Sequence, residues 1–84
     1  MRLKAIKQSD YLNDYKDSIK DMELYDSLKY LRDELKAIER DYKEGYYDSM
    51  SYSLYTKSEW DKNNLNAIKA LKEIIIIKEE ERYL

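Results

Sequence analysis

Four aspartates, Asp10, Asp14, Asp17 and Asp21, recur four, three and four residues apart. At about 100° per residue they collect on one side of a helix, where side chains three and four positions apart are roughly 5–6 Å neighbours. Carboxylates at that interval are spaced not far from successive phosphates on a nucleic-acid strand. Such a row has the charge to imitate a phosphate backbone and to occupy a partner's nucleic-acid groove. It also fits a solvated helix face, and Lys16 and Lys20 are close enough in sequence to offset part of the charge.

The second adhesive residue type is tyrosine, present ten times against no phenylalanine. Tyrosine joins apolar area to a hydroxyl that seeks water or a partner, which is why it is enriched at interfaces. Tyr46, Tyr47, Tyr52 and Tyr55 gather around the stretch from Gly45 to Tyr55, a candidate recognition loop, and Tyr30 lies well off the nearest apolar stripe. The codon usage of an AT-rich genome would also enrich tyrosine, together with the abundant Lys, Ile and Asn. A third candidate is the run Ile74 to Ile77. Ile74 and Ile75 belong to the main apolar side of their helix, whereas Ile76 and Ile77 turn roughly 100° and more away from it. Either that helix is sandwiched centrally, or its far side meets another chain.

The remaining chemistry is sparse. With no histidine, the commonest general base and metal ligand is missing, and with no cysteine there are no disulfides, thiolate nucleophiles or thiolate-held metals. Asp41, Glu44 and Asp48 stand three and four apart and have the oxygens to share a divalent cation, but Gly45 interrupts their common face. No phosphate-cradling glycine loop or nucleophile elbow occurs. The expectation is a non-enzyme without metal or cofactor.

Three helical segments must position these groups. Residues 9–20 place Leu12, Tyr15, Ile19 and Met22 opposite the aspartates, with Ser9 as the expected N-cap. Residues 22–44 carry Leu24, Leu28, Leu31, Leu35, Ile38 and Tyr42 at heptad spacing, suited to a hairpin's inner face or to a homodimeric coiled coil. The step from Met22 to Leu24 fits neither three nor four residues. A break near residues 21–23 is therefore expected, with Asp21 as cap, the alternative being one bent helix. Gly45 stands where a left-handed helix terminator belongs. Residues 45–57 read as an irregular tyrosine-rich loop, ambiguous between strand and helical period, with residues 2–6 the only evident strand partner. Residues 58–81 form the third helix. Thr56 and Glu59 match a capping box, and Asn64 sits among Trp60, Ala67, Ile68, Leu71, Ile74 and Ile75. Asn64 there either fixes register against a partner helix or lies half-exposed near the helix start. The fold expected is all-α, a small three-helix bundle or a helical hairpin with an extra N-terminal helix, in a single domain.

Composition narrows the setting. A charged fraction of 40% and a hydrophobic fraction of 43% suit a folding chain rather than a disordered polyelectrolyte. No apolar run approaches the ~18 residues of a bilayer crossing, and no apolar segment follows the basic start, so a cytoplasmic protein without a membrane partner is expected. The net charge is −2 and the pI about 5.2, which disfavours direct nucleic-acid binding. The acidic excess is concentrated in residues 21–50, with nine acidic and five basic side chains. In overall character the chain resembles small phage-encoded inhibitors, anti-CRISPR proteins among them, although no motif carries the likeness. The expectation is a non-catalytic module that binds a host protein or complex, possessing a nucleic-acid-handling or defence target if the aspartate row mimics phosphate. The alternatives are a self-associating adaptor or homodimer closed by Ile76 and Ile77, and an accessory DNA-binding subunit using the basic first eight residues.

Overall fold

Helix-forming residues run almost without interruption through this proline-free chain, and the backbone follows them. The computed structural model describes residues 2–47 and 54–83. It contains α1 (Gln8–Ile19), α2 (Leu24–Glu44) and α3 (Lys57–Glu80), the last continued by a 3-10 turn at Glu81–Tyr83. Among the described residues there is no strand, and the architecture is the expected all-α bundle of three helices. The isoleucine run stays helical inside α3 despite its strand propensity, because nothing before it breaks the helical hydrogen-bond ladder.

Each helix end has a local cause. Residues 2–7 are extended, and Lys7, rather than Ser9, is the N-cap of α1; it makes no side-chain cap bond. The amides of Asp10 and Tyr11 donate to Lys7 O at 3.1 and 3.2 Å, so the first turn closes one residue earlier than residues 9–20 implied. The expected break follows α1, with Met22 N donating to Ile19 O at 3.0 Å. Glu23, not Asp21, precedes the first residue of α2, again without a side-chain cap bond, which moves the start from residue 22 to Leu24. Met22, expected on the inward stripe, lies on this bend and is exposed. Gly45 ends α2 at φ 73°. Its amide bonds to Tyr42 O at 3.1 Å, and Tyr46 N bonds to Asp41 O at 2.9 Å, the paired pattern of a glycine-terminated helix. At the start of α3, Thr56 Oγ1 accepts from Glu59 N at 3.2 Å. The helix therefore starts at residue 57 rather than 58, and it ends at Glu80 rather than at residue 81.

Helix α3 is the common partner, with α1 and α2 both packed on it. Its Ala67, Ala70, Leu71, Ile74 and Ile75 are buried, and Ala70 and Leu71 are wholly inaccessible. The heptad stripe of α2 answers them: Leu28 and Leu31 are buried, and Leu24, Leu35 and Ile38 pack against the same core. The leucine heptads thus pack intramolecularly, and α3 lies between α1 and α2 with Ile76 and Ile77 left exposed. Arg32–Glu79 at 2.9 Å and Glu39–Lys72 at 3.7 Å join α2 to α3 in antiparallel register along the solvent edge. Exposed pairs of this kind contribute only about 0–1 kcal/mol each, whereas burying one large aliphatic side chain contributes about 1.5–3 kcal/mol. The apolar seam therefore decides the fold.

From α1 come Tyr15 and Ile19, both buried, with Tyr11 and Leu12 partly so. Tyr30 of α2, off the leucine stripe by sequence, packs against this core too, because α1 lies over that flank. The rings of Tyr11 and Tyr15 stack at 6.4 Å. Burial, with smaller contributions from Tyr55 and Asp14, raises the Tyr11 hydroxyl to about 12. Burial, assisted by Glu34 and other neighbours, does the same at Tyr15. A raised folded-state pKa means that the fold prefers the neutral phenol. This contribution to stability is complete below the ordinary tyrosine value of 10.0 and disappears as pH rises from there through about 12. An alkaline titration followed by tyrosinate absorbance should show two late tyrosines that ionise together with loss of helical circular dichroism. Ionisation of both well before any helix is lost would contradict their burial.

Candidate functional site

Among the described residues no cluster of ligating side chains suits a metal ion. Asp48, one of the three carboxylates considered above, lies outside the described residues. What the fold presents is surface, in five distinguishable patches.

The acidic row is carried by α1. Asp10, Asp14 and Asp17 lie within that helix, opposite Tyr15 and Ile19, and Asp21 lies in the turn just beyond it. All four are exposed. Ion pairs among the described residues run within α2, within α3 and its terminal turn, and between those helices, and none involves α1. Lys16 and Lys20 line a separate crevice with Ile77 and Lys78, so they do not neutralise the row by direct pairing.

The tyrosine cluster divides between support and display. Trp60 Nε1 donates to Tyr46 O at 2.9 Å, and the Tyr47 hydroxyl donates to Tyr55 O. Tyr47 and Tyr55 set their rings 6.0 and 6.1 Å from that of Trp60. This aromatic corner fastens the end of α2 to the start of α3. Tyr46 is left with 52% of its surface exposed, while Tyr47 and Tyr55 are half-buried. Tyr52 lies outside the described residues.

Ile76 and Ile77, expected to form one contact face, are exposed in two different directions. Ile77 borders the crevice beside α1, together with Lys16 and Ile19, whereas Ile76 does not line it and is 57% exposed. The helical turn of about 100° per residue separates them as the sequence implied, and α1 occupies the space beside only one.

Two features escaped sequence reasoning. One is a polar ladder on α3 that holds the extended N-terminal arm. Glu59 Oε2 accepts from Ala5 N at 2.7 Å, Asn63 Oδ1 accepts from Ile6 N at 2.7 Å, and Asn66 Nδ2 donates to Ile6 O at 2.8 Å. Leu3 N donates to Leu54 O at 2.7 Å, a single backbone bond and not the strand pairing considered for residues 2–6, since there is no strand among the described residues. The bond from the Ala5 amide is the main reason that the Glu59 carboxyl is held below its ordinary value. Asn64 is half-exposed near the helix start, the second of its two expected readings, and the buried asparagine is its neighbour Asn63, which grips the arm. The only available signal was the four-and-three spacing of Glu59, Asn63 and Asn66 on one side of the helix.

The other is a basic groove of about 430 Å³ between α2 and the terminal turn. Leu24 and Leu28 form its apolar part, and Lys29, Arg32, Lys36 and Arg82 supply cations against the single acid Asp33. On α2 the groove faces away from Tyr30 and Glu34, the residues that neighbour Tyr15 of α1. Lys29 pairs with Asp33 at 3.1 Å.

Comparison with known protein families, characterised proteins and solved structures gives no match. Among the described residues no helix is long and apolar enough to cross a membrane.

Proposed function

We propose that the chain is a non-catalytic binding module that contacts a larger cytoplasmic protein through the exposed acidic face of α1, with Tyr46 as an aromatic anchor at the far end of α2. The reading places the target among proteins that handle nucleic acid. It makes the chain an inhibitor of the kind that phages and mobile elements encode. One observation carries it: Asp10, Asp14 and Asp17 stand exposed on one rigid helix, with none of them in an ion pair. Side chains fixed on a helix keep a regular interval, so such a row offers a basic groove a preformed strip of charge and loses little entropy on docking. Complementary charge of this kind acts mainly on association rate and specificity, and it weakens with salt.

The self-associating alternative through Ile76 and Ile77 is less favoured by the geometry, because the two side chains do not form one continuous patch. Direct DNA binding by Arg2, Lys4 and Lys7 has only their exposure in its favour.

The test compares the wild-type chain with the triple substitution Asp10→Asn, Asp14→Asn and Asp17→Asn in affinity capture from the native host. A true target should be retained by the wild type, released by a competing oligonucleotide, and bound roughly tenfold or more weakly by the triple variant, with a shallower salt dependence. Equal retention of the same protein by both chains would remove the acidic face from the interface.

A further inference from the structure

The acidic row and the basic groove lie on different flanks of the same molecule, and their spacings match. Along α2 the cations Lys29, Arg32 and Lys36 step by three residues and then four. Along α1, read in the opposite direction, Asp17, Asp14 and Asp10 also step by three and then four. Both sets rise about 1.5 Å per residue, so they stay in register over roughly 10 Å. We infer that the basic groove on α2 receives α1 of a second copy of this chain, antiparallel, with Asp17 opposite Lys29, Asp14 opposite Arg32 and Asp10 opposite Lys36.

Beyond the helical register, Asp21 follows Asp17 in the turn after α1 and Tyr25 precedes Lys29 by four residues, so a carboxylate acceptor and a phenol donor stand at the same end of the two rows. Tyr25 is 76% exposed and lines the groove, as that contact requires. Lys36 has no ion-pair partner within the described chain, while Lys29 and Arg32 exchange Asp33 and Glu79 for Asp17 and Asp14 at little cost, because both existing pairs are solvent-exposed.

The two surfaces are different patches, and the groove faces away from α1 of its own copy, so the contact is heterologous. One copy's row fills the next copy's groove and leaves a row and a groove free at the ends. Such contacts give rings or open chains rather than a closed two-fold dimer. The assembly is weak, because the pairs are water-exposed and the acidic face brings little apolar area to Leu24 and Leu28. It is therefore favoured by high protein concentration and low salt. This goes beyond the proposed target reading, since it concerns the α2 groove and a different occupant of the acidic row.

Sedimentation equilibrium at low salt tests it with a charge exchange. One variant carries Asp10→Lys, Asp14→Lys and Asp17→Lys, and the other carries Lys29→Glu, Arg32→Glu and Lys36→Glu. All six positions lie on helices, and circular dichroism checks that both variants fold. The wild type should show a mean mass that grows with concentration past that of a dimer, and its association should fall roughly tenfold or more in high salt. Each variant alone should be monomeric. Should either fail to fold, the corresponding asparagine or glutamine substitutions replace the reversals and should weaken wild-type association. An equimolar mixture of the two folded variants should associate again in alternation, because each variant's row is opposite in charge to the other's groove. A wild type that stays monomeric at low salt overturns the proposal, as does a mixture that fails to associate. Association that persists in each variant alone, or that stops at a dimer, also overturns it and points to a different face. A monomeric wild type whose groove binds an oligo-glutamate peptide assigns the groove to a foreign acidic segment instead. Loss of host-target capture in the α1 variant but not in the α2 variant would leave the proposed target reading intact whatever the mass data show.

Discussion

Replacing Leu71 with alanine should lower the free energy of unfolding by about 2–5 kcal/mol, the range for truncating a large aliphatic side chain in a filled core. Leu71 is wholly inaccessible and sits midway along α3, in the cluster shared with Leu28, Leu31, Tyr15 and Ile19. Both outer helices pack on α3, so a cavity at Leu71 removes contacts from the element that joins them. For a chain of this size the total stability is on the order of 4–13 kcal/mol, so a single substitution removes a large share of it. Chemical denaturation should show a lower midpoint with an unchanged slope, and the thermal midpoint should drop by on the order of 10–30 °C. A loss below about 1 kcal/mol would mean that α3 is not the shared core helix.

The second large effect is expected at Asn63, a buried polar residue whose side-chain oxygen accepts from the arm. Asn63→Ala removes the acceptor for Ile6 N and leaves that amide without its partner. Leaving a partly buried donor unsatisfied costs about 1–3 kcal/mol. The change should therefore destabilise the chain by that amount, and amide exchange at Ala5 and Ile6 should become fast while exchange within α3 stays slow. Asn66→Ala removes only the donor to Ile6 O and should produce a smaller effect in the same direction. If Ile6 remained protected in Asn63→Ala, the arm would be held by something other than the ladder.

The fold was legible where the determinants are local. Gly45 marks the end of α2 because a left-handed backbone favours glycine, and the heptads of α2 mark its buried side because a helix repeats every 3.6 residues. The break after α1 was visible as a slip in the apolar period. The misplacements share one cause, which is that a neighbour distant in sequence decides the outcome. Met22 fits the stripe of α1 by angle, yet the chain has already turned when it reaches that residue. Tyr30 is off-stripe until α1 covers its flank. Asn63 looks like a surface residue until an extended arm is laid along α3, and no period within the arm announces that.

The same contrast applies to the surfaces. The acidic row was readable because all its members lie within about three turns. The basic groove was not, because Arg82 joins Lys29 and Lys36 only after α2 and α3 pair antiparallel. Tyr46, Tyr47 and Tyr55 come together at one corner, but the division into half-buried support and exposed ring depends on Trp60, whose indole N–H donates to the carbonyl of Tyr46.

The arm's anchorage also bears on how the chain folds. Ile6 and Asn63 are 57 residues apart, so their bond closes a loop that spans most of the molecule. Helix α2 can meet α3 through a much shorter connection, which has the smaller closure entropy to overcome. The side chains that grip the arm follow it in the chain only after all of α1 and α2. The arm is then the last segment to be tied down, and its docking depends on the first half of α3 alone.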